Sequence, residues 1–221
     1  MSARIAVLVS GRGSNLQALL DAIAAGRLDA EVVGVFSDRP EAPALAKVAP
    51  QRRWSADARS YPDRAAFDAE LAAAVAASQP DWIFCAGYMR ILGEAFVRRF
   101  EGRLLNVHPS LLPRYKGLHT HARALRAGDA EHGASVHFVV PELDAGAVVA
   151  QVRIPVLPGD TPDVLAARLL PHEHRLVTAV MALAVSGRLA ERDGQVLVDG
   201  QPLLAPLRLE SDDRLLPESR G

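Results

Sequence analysis

The first two dozen residues constrain this chain most. Ile5-Ala6-Val7-Leu8-Val9 is an unbroken apolar run. Ser10-Gly11-Arg12-Gly13-Ser14-Asn15 follows at once, and then Leu16, Leu19, Leu20 and Ile23 recur at helical spacing. A continuous apolar run suits a strand covered on both faces, which is the habit of parallel sheets. Glycines let the backbone turn sharply from that strand into the helix. The same rhythm continues with strands at 31–36, 81–86 and 103–107 and helices at 14–25, 43–48, 63–77 and 93–100. It predicts an α/β fold, a doubly wound, mostly parallel, Rossmann-like sheet.

Beyond residue 107 the pattern changes. Residues 109–121 read as a long irregular loop, and 120–127 as a short helix. Strands at 134–140 and 147–156, joined by Pro141-Glu142-Leu143-Asp144-Ala145-Gly146, suggest an antiparallel hairpin added at the sheet edge. Thr161-Pro162-Asp163 is a strong helix start, with Thr as cap and Pro in the first turn, and that helix should reach about residue 185, bent at Pro171. A last hairpin is expected around Asp193-Gly194. One domain over residues 1–200 is expected, its N-terminal half for one ligand and its C-terminal half for another, with 201–221 an irregular tail.

Composition removes several classes. Of 221 residues 49% are hydrophobic and 23% charged, so the chain can build a core and is not disordered throughout. A net charge of -1 gives no overall field for nucleic acid or an acidic membrane. The single cysteine, Cys85, excludes an internal disulfide and any multi-cysteine zinc site. The longest apolar helical stretch, 176–185, is too short for a bilayer, and the N-terminal apolar run reads as a strand rather than a signal peptide. A cytoplasmic protein with small-molecule partners, and neither nucleic acid nor membrane, is the expectation.

Two places carry chemistry. The turn 10–15 meets a helix N-terminus, where free N–H groups and the helix dipole favour a phosphate. The alternative is a plain turn with a capping box, Ser14-x-x-Gln17. A dinucleotide fingerprint would need glycine where Leu16 stands, although Asp38, soon after the second strand, keeps that reading open. In Leu104-Leu105-Asn106-Val107-His108-Pro109 a buried strand turns polar at its carboxyl end. Asn106 and His108 are two apart and share a face. An amide can donate to a developing oxyanion and an imidazole can move a proton; the alternative is a capping Asn and a satisfied His. Asp144 sits in a turn, where Asp is usually only a turn former. His137 is expected at an exposed or cleft-facing strand position. His172 and His174 do not share a helix face, so no metal site is expected.

Taken in order, Ser10-Gly11-x-Gly13-Ser14-Asn15, Ala86-Gly87-Tyr88-Met89-Arg90-Ile91-Leu92, Asn106-Val107-His108-Pro109-Ser110, Gly133-Ala134-Ser135-Val136-His137, Leu143-Asp144-x-Gly146 and Glu173-His174 resemble the folate-dependent phosphoribosylglycinamide formyltransferase family of purine biosynthesis. The resemblance covers roughly residues 4–200. It implies transfer of a formyl group from 10-formyltetrahydrofolate, as co-substrate and without a metal, to the amino group of glycinamide ribonucleotide. It implies a catalytic set of Asn106, His108 and Asp144, with His108 stabilising the oxyanion and Asp144 keeping it protonated and oriented. It implies ribonucleotide contacts at Gly13, Ser14, Asn15 and Glu173. Folate contacts would fall at Arg64, Met89, Arg90, Ile91, Leu92, Asn106, Val140, Pro141, Glu142, Leu143 and Asp144. A formyltetrahydrofolate deformylase shares the Asn-x-His…Asp core but would lack the Gly-Ser-Asn turn. A non-catalytic nucleotide-binding module would explain that turn but not the polar end of the Asn106 strand.

Overall fold

A computed structural model of the chain describes residues 2–217. Its elements, in chain order, are β1 (Ala3–Val9), α1 (Ser14–Ala24), β2 (Ala30–Ser37), β3 (Arg53–Ser55), α2 (Arg64–Ala77), β4 (Trp82–Cys85), α3 (Glu94–Arg99), β5 (Leu104–His108), α4 (Thr120–Ala127), β6 (Glu131–Phe138), β7 (Val148–Pro155), α5 (Pro162–Val185), β8 (Leu189–Arg192), β9 (Gln195–Val198), β10 (Gln201–Pro202), β11 (Leu207–Leu209) and β12 (Leu215–Pro217). The short helix expected at 43–48 is a 3-10 helix over residues 43–47.

Nine strands form one sheet in the order β12-β11-β7-β6-β5-β4-β1-β2-β3. Strands β3, β2, β1, β4 and β5 run parallel. The sheet reverses at β6, which pairs antiparallel with both β5 and β7. Side-chain alternation along β1 explains its double burial. Ile5, Val7 and Val9 join the larger core, under α1 and α5. Ala6 and Leu8 join the second, which includes Phe67 and Leu71 of α2 and Phe96 of α3. Cys85 belongs to that second core, and burial pushes its thiol up to about 12.

The expected hairpin exists, but it is not the sheet edge. β11 adds parallel to β7, and β12 pairs antiparallel with β11. Within the expected irregular tail, residues 201–217 therefore carry strands, with Leu207 and Leu209 buried on either side of an exposed Arg208, and residues 218–221 lie outside the described residues. That period-two signal is only three residues long, too short to stand out in a Pro- and charge-rich stretch. α5 runs unbroken through Pro171. β8, β9 and β10 form a separate antiparallel sheet, with β8 and β9 turning at Asp193-Gly194 as expected. Among the described residues no helix is long and apolar enough to cross a membrane.

Strand order reverses between β1 and β4, since β2 lies on one side of β1 and β4 on the other. In an open α/β sheet ligands collect at the carboxyl ends of strands beside such a reversal. The loops there are 10–13, after β1, and 86–93, after β4.

Candidate active site

The turn after β1 is built for close approach. Gly13 has φ +68°, and a Cβ on it would lie 2.6 Å from the Ala44 Cβ, so only glycine fits. Gly13 itself caps α1, and no side chain caps the helix. The capping box is absent: Gln17 instead donates to Asp21 and accepts from Lys47. The first N–H groups of α1 thus stay available to an anion. Asn15, in the first turn, donates from Nδ2 to Glu173 Oε1 at 2.6 Å, across to α5. Burial pushes the Glu173 carboxyl above its ordinary range, and the Asn15 bond pulls it part of the way back. A groove of about 710 Å³ between α1 and α5 is lined by Arg12, Ser14, Lys47, His174 and Arg175 among others.

The second depression, about 700 Å³, is roofed by loops 87–92, 117–121 and 139–144 and floored by the end of β5. On β5, Leu105 and Val107 face the α1–α5 core, so Asn106 and His108 project to the opposite face. The antiparallel register then sets His137 directly across from Asn106. His137 Nδ1 lies 2.8 Å from the Phe138 carbonyl, which only accepts, so that nitrogen carries the proton. Its Nε2 is left to accept from the Asn106 amide at 3.1 Å. Burial lowers the His137 pKa, which fits a neutral ring in this role. The expectation of an exposed or cleft-facing ring resolves to a buried one, 2% accessible, on the cleft wall.

His108 is gripped twice. Nε2 donates to the Tyr115 carbonyl at 2.9 Å, and Nδ1 lies 3.4 Å from Asp144 Oδ2. The same carboxylate accepts the Gly117 N–H at 2.8 Å, and its Oδ1 is 3.7 Å from His137 Nε2. Asp144 reaches this point because the loop doubles back tightly: a Cβ on Gly146 would sit 1.9 Å from the Phe138 carbonyl oxygen. An amide, an imidazole and a carboxylate from two distant segments therefore surround one volume. They can donate to a developing oxyanion and balance its charge.

Of the residues named from sequence for the folate side, Met89, Arg90, Ile91, Leu92, Asn106, Val140, Pro141, Leu143 and Asp144 line this cleft. Glu142 turns outward to Lys116 at 3.2 Å, and Arg64, exposed at the start of α2, stays outside the lining. Sequence reading missed the two backbone partners, the Tyr115 carbonyl and the Gly117 N–H. No side-chain pattern announces a main-chain contact.

Comparison with known proteins gives the family. Residues 3–181 match the family model described as formyl transferase. The phosphoribosylglycinamide formyltransferase of Escherichia coli K12 is 45% identical over 90% of this chain and 95% of its own length. The solved phosphoribosylglycinamide formyltransferase of Coxiella burnetii superposes with a TM-score of 0.87 at 42% identity, over 92% of this chain and 96% of that one. A formyltetrahydrofolate deformylase from Pseudomonas syringae gives a TM-score of 0.80 at 24% identity, over 90% of this chain and 66% of that one, a likeness of fold alone. With its sequence and its strand order both matched across most of its length, this chain belongs to the formyl transferase family, alongside the phosphoribosylglycinamide formyltransferases.

Proposed function

We propose that the chain transfers the formyl group of 10-formyltetrahydrofolate to the amino group of glycinamide ribonucleotide, a step of purine biosynthesis. The observation that carries the chemistry is the meeting of Asn106, His108 and Asp144 at the floor of a cleft walled by apolar loops. The folate lies in that cleft. The phosphate end of the ribonucleotide lies on the uncapped start of α1, at Gly13, Ser14 and Asn15, with Glu173 holding the same substrate. The amine attacks the formyl carbon and a tetrahedral intermediate forms. His108 acts as imidazolium: its Nε2–H stays on the Tyr115 carbonyl, while its Nδ1–H, loosely held at 3.4 Å from Asp144, turns to the oxyanion and Asp144 balances the charge. Asn106 spends one amide hydrogen on His137 and offers the other to the same oxygen. Collapse of the intermediate expels the folate nitrogen, which takes up the proton that the attacking amine gives up.

The assay mixes the enzyme with a 10-formyl folate, with and without glycinamide ribonucleotide, and follows loss of formyl from the folate. Loss only with the ribonucleotide present is expected. Equal loss without it points to a hydrolase, and loss in neither case, in folded protein, to a non-catalytic binding module.

A further inference from the structure

We propose that Asp38 and Asp68, two buried carboxylates outside the reacting centre, are positioning residues that fix the 87–93 segment in its folate-binding shape. This rests on the folate reading of the cleft given above. The segment lies between β4 and α3 and has no helix or strand of its own. It nevertheless buries Tyr88 and Leu92 while leaving Met89 60% and Ile91 51% exposed. All four line the cleft. Apolar side chains on an untethered loop gain by turning inward, so something must hold this backbone with Met89 and Ile91 displayed.

Two tethers do so, one near each end. At the first, Ser10 Oγ accepts the Met89 N–H at 2.9 Å and donates to Asp38 Oδ1 at 2.6 Å, while Ser10 N donates to the Gly87 carbonyl at 3.2 Å. At the second, Asp68 Oδ2, from the second turn of α2, accepts the Gly93 N–H at 2.7 Å. Ser10, Asp38 and Asp68 are each less than 7% exposed, so solvent does not compete for these bonds. The sequence left Asp38 open as a ribose-binding acid, but its Oδ1 is committed to Ser10. Burial raises the Asp68 pKa, with the Gly93 bond and the charges of Arg64 and Arg90 opposing. What the second tether requires at position 68 is a hydrogen-bond acceptor, which an amide also supplies.

The test compares wild type with Asp38→Ala, Asp68→Ala and Asp68→Asn. It measures KM for a 10-formyl folate, KM for glycinamide ribonucleotide and kcat, with equilibrium binding of the folate by calorimetry. Asp38→Ala and Asp68→Ala should each raise the folate KM and Kd about tenfold or more. The ribonucleotide KM and kcat at saturating folate should stay within about threefold. Asp68→Asn should restore folate KM to within about threefold of wild type. The tethers are refuted if both alanine variants keep wild-type folate affinity, if both KM values rise together, or if the asparagine is as damaging as the alanine. Circular dichroism checks folding, and if Asp68→Ala does not fold, Asp38→Ala and Asp68→Asn decide the question. A wild-type protein that neither binds nor consumes the folate overturns the folate reading and the tethers with it. Wild-type affinity retained in folded variants overturns the tethers alone.

Discussion

At the scale of single residues, the site depends on a few donors aimed at one point. His108→Ala removes a charged donor and should lower kcat by about 100- to 1,000-fold, the range typical for losing one preorganised oxyanion donor. Steady-state turnover of the purified variant measures this, and near-normal turnover would sink the assignment. Glu173→Ala strips the buried carboxylate facing Asn15. Hydrogen bonds to charged groups contribute about 1.5–3 kcal/mol, so KM for the ribonucleotide should rise at least tenfold while that for the folate holds. Gly146→Ala should also damage activity, because the added methyl collides with the Phe138 carbonyl and displaces the loop that carries Asp144. Asn106 and His108 could be read from the sequence, since a polar pair ending an apolar strand is conspicuous. Asp144 could not be placed by spacing, since 36 residues separate it from His108, and only the family resemblance pointed to it.

At the scale of elements, β6 carries a burden that its sequence half conceals. His132, its second residue, is 1% exposed with Nε2 unpartnered, and its ring meets His121 of α4 edge-on with centroids 4.8 Å apart. Burial, with His121 adding, depresses the His132 pKa from 6.5 to about 4. Between those values the unfolded chain binds the extra proton and the folded chain does not, so stability falls as pH falls. His137 and His121 are lowered by burial too and act in the same direction. Urea denaturation at pH 7 and pH 5 should show a loss on the order of 1–2 kcal/mol from His132, and His132→Gln should shrink that loss. α1 was legible from apolar residues at helical spacing, and β1, β2, β4 and β5 from unbroken apolar runs bounded by turns. β3, β10, β11 and β12 were not, because two or three residues cannot display a period.

For the molecule as a whole, the main sheet borrows its far edge from the end of the chain. Leu207 and Leu209 lie 5% and 6% exposed against the α1–α5 core, and Arg175 of α5 donates to Asp213 and to the Glu210 and Ser211 carbonyls. Ending the chain at residue 200 should therefore cost about 3 kcal/mol or more, at roughly 1.5–3 kcal/mol per buried leucine side chain. A thermal melt of the shortened protein reads this as a lower Tm. An unchanged Tm means that β11 contributes little. The doubly wound plan was visible from the alternation of strand and helix. The antiparallel pairing of β6 with β7 followed from a hairpin too short for a crossover helix, whereas the reversal between β5 and β6, which are joined through α4, and the parallel return of β11 beside β7 need contacts no local pattern encodes.

The loop between β5 and α4 touches the catalytic groups only through its main chain, a carbonyl at Tyr115 and an N–H at Gly117. Every amino acid supplies that carbonyl, and all but proline supply the N–H. Substitutions that preserve the path of this loop are therefore chemically silent at the imidazole and the carboxylate. At these two positions the path of the loop, rather than the identity of a side chain, decides whether the contacts persist.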